Sequence, residues 1–189
     1  MSERKVPFCV SRERFADGKR SYLVDGWFGA YGEPSGEDPS VWLYCGEVSV
    51  ARITEEANVG RARCKSVVEG MFERAELWQE GGRLMVESRA VPPYVSIPAS
   101  SVRAAIAELT ERQFRCWLWA MARKRAADRA QGRCKVFPVW LVRDLGLSEC
   151  HSNVANVKRA MSALAEKGLV RYKASGRAWE IVAVREEFE

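Results

Sequence analysis

Arg61, Arg63 and Lys65 place three cations within five residues, with Ser66 directly after them, on a half of the chain that is otherwise acidic. In the other half, Ser152, Asn153, Asn156, Lys158 and Arg159 form a second polar group. Asparagine can pair two-pronged with adenine, and arginine or lysine suits guanine or phosphate. Each good two-pronged contact supplies about 1–3 kcal/mol of discrimination between bases. Arg83, Lys173 and Arg177 are of the kind that touches the phosphate backbone or the minor groove, which positions a protein without reading sequence. For each of these residues the plain alternative is a solvated surface. A further basic run, Arg123, Lys124, Arg125, Arg129, Arg133 and Lys135, divides between phosphate contact and simple stabilisation of a helix C-terminus. Neutralising about six to ten phosphates would make affinity fall by about 10³–10⁵ between roughly 50 and 200 mM salt.

Other chemistry finds little support. His151 is the single histidine and follows Cys150, but adjacent side chains seldom face each other and no orienting acid is apparent. Glu55 and Glu56 are side by side and read as a solvated face. No phosphate-binding loop of the G-x-x-x-x-G-K-[ST] type occurs. Cys9, Cys45, Cys64, Cys116, Cys134 and Cys150 include no C-x-x-C pair, so zinc is not expected and each reads as a small buried apolar residue. The seven tryptophans stand mostly at core-like spacings and read as packing. No catalytic residue, cofactor or metal is therefore expected, and the chain reads as a non-enzyme. Nothing resembles a signal peptide or a membrane span, which predicts a reducing, cytoplasmic setting with no membrane partner.

The elements that would position these residues occur twice. With 47% apolar residues the chain has material for real cores. Ile53, Ala57 and Val59 precede a polar turn, and Leu141, Leu145 and Leu147 do so at the same spacing. Phe72, Leu77 and Trp78 match Leu164, Leu169 and Val170, again with identical spacing. The second window is about four residues longer near Ser148 to His151, where a turn between helices absorbs extra length cheaply. Upstream, Phe8-Cys9-Val10-Ser11 and Tyr94-Val95-Ser96-Ile97 are corresponding β-type runs. Residues 1–90 and 91–189 thus read as two domains, joined near Arg89 to Pro93, where Pro92-Pro93 forbids helix. The first carries 13 Lys+Arg against 15 Asp+Glu and the second 17 against 10, so the net charge of +5 arises in the second.

The second copy is the clearer. Thr110 and Gln113 form a capping box, and Phe114, Trp117, Leu118 and Met121 continue an amphipathic helix to about Ala130. Val136-Phe137-Pro138 is extended and a short helix runs from about Val139 to Leu145. Gly146 then supplies a left-handed cap. A third helix begins near Ser152 or Asn153, both good caps, and ends at Lys167-Gly168. Residues 169–173 and 178–182 alternate as a β-hairpin. In the first copy Leu23, Trp27 and Tyr31 mark one helix, Ser49 caps another, and Cys64, Val68 and Phe72 line a third. Leu77 to Glu87 turn at Gly81-Gly82. Gly32 to Ser40 reads as a loop whose acids, Glu33, Glu37 and Asp38, would repel phosphate.

The fold class expected is α+β, mainly α, with two tandem winged helix-turn-helix domains, each closing on a β-hairpin wing. Tyr94-Val95-Ser96-Ile97-Pro98 followed by Leu109-Thr110-Glu111-Arg112-Gln113-Phe114 resembles the opening strand and first helix of plasmid and mobile-element replication initiators. That resemblance implies sequence-specific binding of double-stranded DNA through the third helices, with a second copy or replication proteins as further partners. A transcription regulator, partnered by transcription proteins, and a winged-helix protein-interaction module are the alternatives.

Overall fold

The computed structural model describes residues 3–34, 41–44, 49–87 and 92–188. The protein is α+β and mainly helical, with eight helices among the described residues. Strand β1 (Lys5–Cys9) leads into α1 (Arg12–Ala16) and α2 (Tyr22–Tyr31); β2 (Glu33–Pro34) and β3 (Val41–Tyr44) follow. Helices α3 (Val50–Glu56) and α4 (Arg61–Glu73) then precede the hairpin β4 (Leu77–Glu80) and β5 (Arg83–Glu87). The second half follows a similar order, with one strand between its helix pairs in place of two. It runs β6 (Tyr94–Pro98), α5 (Ala99–Glu108), α6 (Glu111–Arg129), β7 (Cys134–Val136), α7 (Pro138–Asp144), α8 (His151–Glu166), β8 (Val170–Ser175) and β9 (Ala178–Val184).

Local chemistry starts these helices where it should. Ser21, Ser49 and Thr110 accept hydrogen bonds from the backbone amides of Val24, Arg52 and Gln113, each satisfying a first-turn donor that the helix itself cannot. The Gln113 side chain completes the capping box at the Thr110 amide, 3.0 Å away. Pro138 occupies the first turn of α7, where its missing amide is harmless. Helices α3 and α7 have seven residues each, and their matched positions Ile53 and Leu141 are both fully buried.

The halves are interlocked. β1 pairs antiparallel with β6, and Val6 opposite Ile97 and Phe8 opposite Val95 put four buried side chains on one face. Helix α1 lies against α7 of the other half, while α5 lies against α3. Each half's first helix thus supports the other half's short helix. The Asn58 amide donates to the Ile106 carbonyl at 2.6 Å, and the Asn58 side chain to that of Leu109 at 3.3 Å. Helix α2, buried from Tyr22 to Ala30, runs through the centre and packs on α5 and α6. Gly26 permits that approach, since a Cβ there would lie 2.9 Å from the Ile106 side chain. One apolar core spans both halves.

Several expectations need correction. Glu33 and Pro34 form a short strand against β3 instead of a loop, and residues 35–40, with Glu37 and Asp38, lie outside the described residues. Phe72 is 45% exposed although its counterpart Leu164 is buried; Val67 and Met71 fill the core from α4 instead. The extra length of the second copy is shared. Residues 57–60 join the first helix pair and 145–150 the second, but α8 also has 16 residues against 13 in α4. The join expected at Arg89 to Pro93 falls mostly outside the described residues; at its end the Pro93 carbonyl accepts from the Val10 amide at 2.8 Å. Helix α5, unanticipated, buries Val102, Ala105 and Ile106.

Candidate nucleic-acid interface

Two helix tips carry the polar residues singled out in the sequence. At the first, Gly60 caps α4 and Arg61, Arg63, Lys65 and Ser66 are all exposed on its first turns. Helical periodicity explains the alternation: Cys64, Val67 and Val68 face the core, so the residues between them face outward. Arg63 is not free to swing. Its guanidinium donates to the carbonyls of Gly18 and Arg20 at 2.6 and 3.0 Å, tying the α1–α2 loop to the tip. Lys65 stands 3.8 Å from Glu69, a long and fully solvated pair that leaves its charge available. Arg61 has no ion-pair partner among the described residues.

At the second tip, α8 begins at His151 and its cap residue is Cys150, two or three residues before the expected caps Ser152 and Asn153. Ser152 and Asn153 therefore sit inside the first turn. Asn153 uses its amide on the turn itself, donating to the Ser148 carbonyl at 2.9 Å and its hydroxyl at 3.0 Å. Asn156 accepts from the Arg159 guanidinium at 3.1 Å, which orients both outward-facing groups. Ser152, Lys158 and Arg159 are exposed. Val157, Ala160, Met161 and Leu164 hold the opposite face in the core.

The hairpins place their cations in the open. Arg83 follows the Gly81-Gly82 turn, where both glycines have positive φ. Lys173 lies on β8 and Arg177 in the β8–β9 turn, both exposed. The basic run on and after α6 is different. Arg123 pairs with Asp144 at 2.6 Å, Arg133 with Glu180 at 3.6 Å, Lys124 with Asp128 and Arg125 with Glu186. Those four charges are largely spoken for within the chain; Arg129 and Lys135 are exposed and have no ion pair among the described residues.

Sequence reading missed the Cys150 thiol. Cys9, Cys64, Cys116 and Cys134 are buried, as small apolar residues should be, but Cys150 is exposed. Cys45 lies outside the described residues. The Ser152 hydroxyl, 3.1 Å from the sulfur, together with the Asn153 amide and the Ser148 hydroxyl, brings the Cys150 thiol down to about 7. The signal available beforehand was the run Ser148, Cys150, Ser152, which puts two hydroxyls beside one thiol.

No family model, curated protein or solved structure matched the chain. The arrangement must be read from its own chemistry. Among the described residues no three His, Cys, Asp or Glu side chains gather as a metal site would require, and no helix is long and apolar enough to cross a membrane. His151 and Cys150 are consecutive at a helix start, with the sulfur turned to Ser148 and Ser152.

Proposed function

We propose that the chain binds double-stranded DNA sequence-specifically as two tandem winged helix-turn-helix domains, residues 1–90 and 91–189. Helices α4 and α8 are the recognition helices and the hairpins β4–β5 and β8–β9 the wings. One observation carries this reading: a strand, two helices, intervening β-structure, two helices and a hairpin follow one another in both halves, and both times the last helix carries exposed polar or cationic residues on its first turns. Recognition helices of this kind meet base edges with their N-terminal residues.

The two tips divide the work. Arg61, Lys65 and Ser66 suit phosphate and guanine, and Arg63 fixes the loop that backs them. Asn156 and Arg159 already share a hydrogen bond, so they meet base edges as a preorganised pair, with Lys158 and Ser152 beside them. The protein acts as a non-enzymatic DNA-binding factor and serves as a replication initiator of a plasmid or mobile element. Directly repeated sites at an origin support that role; a single site over a promoter assigns it to transcription regulation instead.

Selection from a pool of random duplexes at low salt, followed by gel shift, tests the reading. The selected site should exceed one helical turn. Asn156→Ala and Arg159→Ala should relax base preference at about 1–3 kcal/mol per lost contact. Arg61→Ala should weaken binding to all sequences and reduce the salt dependence by about one phosphate. No shift of any duplex would favour a protein-interaction module.

A further inference from the structure

A crevice of about 480 Å³ opens behind the α7–α8 turn and reaches Gly18, whose carbonyl is held by Arg63 of the first tip. It lies where the two halves meet: the end of α1 supplies Phe15 and Ala16, the start of α6 supplies Arg112 and Arg115, and the turn supplies Leu145 and Leu147. Sites for small organic molecules fall in this size range and favour junctions between domains, with an apolar lining and a few fixed polar groups. We infer that this crevice is a binding site for a small amphipathic anion, an aromatic or short aliphatic body bearing one carboxylate, sulfonate or phosphate group.

The charges in and around the crevice dictate the sign. Glu111 is the one acid in its lining, and its carboxylate is already committed. Oε1 accepts from the Tyr22 amide at 2.8 Å and from Arg115 Nε at 3.0 Å. Oε2 accepts from the Ser21 hydroxyl at 2.8 Å and the Leu23 amide at 3.3 Å. Arg115 spends its other nitrogens on the carbonyls of Phe15 and Arg20. Arg112 alone among these groups has no hydrogen-bond or ion-pair partner among the described residues, and it is only partly exposed. A cation left unspent at the edge of an apolar recess complements a ligand with an apolar body and one negative group.

Anilinonaphthalene sulfonate, a fluorescent anion with an aromatic body, is a direct probe. The protein should bind one equivalent with enhanced emission. Arg112→Gln should weaken binding by about fivefold, as loss of a partly exposed charge pair implies, and Arg112→Lys should restore most of it. Phe72→Ser, which removes one of the two exposed large hydrophobic side chains among the described residues, should leave the titration unchanged. Hydrogen exchange supplies a reading that needs no variant: the probe should protect amides of residues 110–113 and 145–148. Binding that survives Arg112→Gln, binding lost with Phe72→Ser, protection elsewhere, or no saturable binding would each overturn the assignment. None of these measurements involves DNA, so they stand apart from the proposed function.

Discussion

The Glu111 carboxylate of α6 accepts a hydrogen bond from the Tyr22 amide at 2.8 Å, so a residue of the second half caps the first turn of the central helix of the first half. The same carboxylate holds Arg115, whose side chain is only 11% exposed, at 3.0 Å. Removing Glu111 therefore does two kinds of damage. It orphans first-turn donors of α2 and leaves a buried guanidinium without its counter-charge. Glu111→Ala should cost about 2–4 kcal/mol in urea unfolding. Glu111→Gln, which keeps an acceptor but loses the charge, should fall between. A loss below about 0.5 kcal/mol, the range of ordinary surface changes, would show that the cap is not structural.

Gly146 closes α7 with φ +68, and a Cβ placed there would come within 2.5 Å of the Ala16 Cβ and 2.9 Å of its Cα. Backbone cannot retreat as a flexible side chain can. Gly168 offers the control, since it has φ +73 but open space around it. Gly168→Ala should cost about 1–2 kcal/mol, the left-handed penalty alone. Gly146→Ala should add about 1–3 kcal/mol of overpacking to that. Equal losses in thermal unfolding would mean that the α1–α7 contact yields freely.

Much of this framework was legible in the sequence. Ile53 with Leu141 and Leu77 with Leu169 were matched by spacing alone, and all four are buried. Capping residues and turn glycines are local signals, and Thr110, Gln113, Ser49, Gly146 and Gly168 gave correct helix ends. What was hidden is non-local. No periodicity within residues 5–9 says that they pair with residues 94–98, or that α1 crosses to α7. Phe72 misled because the longer α8 shifts the end of the spacing match, so an exposed ring was aligned with a core leucine. At the tips, residue types suggested contact chemistry, but only coordinates reveal that Arg63 is turned onto the α1–α2 loop and Asn153 onto the turn before its own helix.

The C-terminal segment is held by charge across both halves. Glu186 meets Arg125 of α6 and, at 3.3 Å, Lys5 of β1, while the Phe188 amide donates to Ser101. Burial pushes the Glu186 carboxyl up, but Arg125 and Lys5 together outweigh it and hold it below the ordinary carboxylate value. A carboxyl depressed in the folded state stabilises above its unfolded pKa, and the contribution disappears as pH falls through the folded value. The stability gap between wild type and Glu186→Gln should thus be full near neutrality and close below about pH 4. A gap that stays constant across that range would rule out the electrostatic tie.

Cys150 should stand apart chemically from the buried thiols. Its pKa is brought down to about 7, whereas burial pushes Cys116 up to about 12. Thiolate is the nucleophile, so among the described cysteines Cys150 alone should be alkylated rapidly by iodoacetamide, with a rate midpoint near pH 7. Ser152→Ala should move that midpoint upward, since the Ser152 hydroxyl contributes most to the shift. A midpoint at the ordinary thiol value of about 8.5 would remove the hydroxyl's role. Under the proposed function, the alkylated protein should also bind duplex more weakly, because the adduct stands at the α8 tip.

Under the proposed function, the interlock has a consequence for the spacing of the DNA site. With β1 paired to β6, α1 braced on α7 and α5 on α3, the two tips are fixed relative to each other by packed elements of both halves. Tandem domains on a flexible linker would follow half-sites to new positions; these cannot. Inserting about five base pairs between the half-sites, half a helical turn, should reduce affinity to that of one half-site. Inserting a full turn should do little better, because rotation is restored but the distance is not. Measured affinity that recovers with either insertion would mean that the halves separate on DNA.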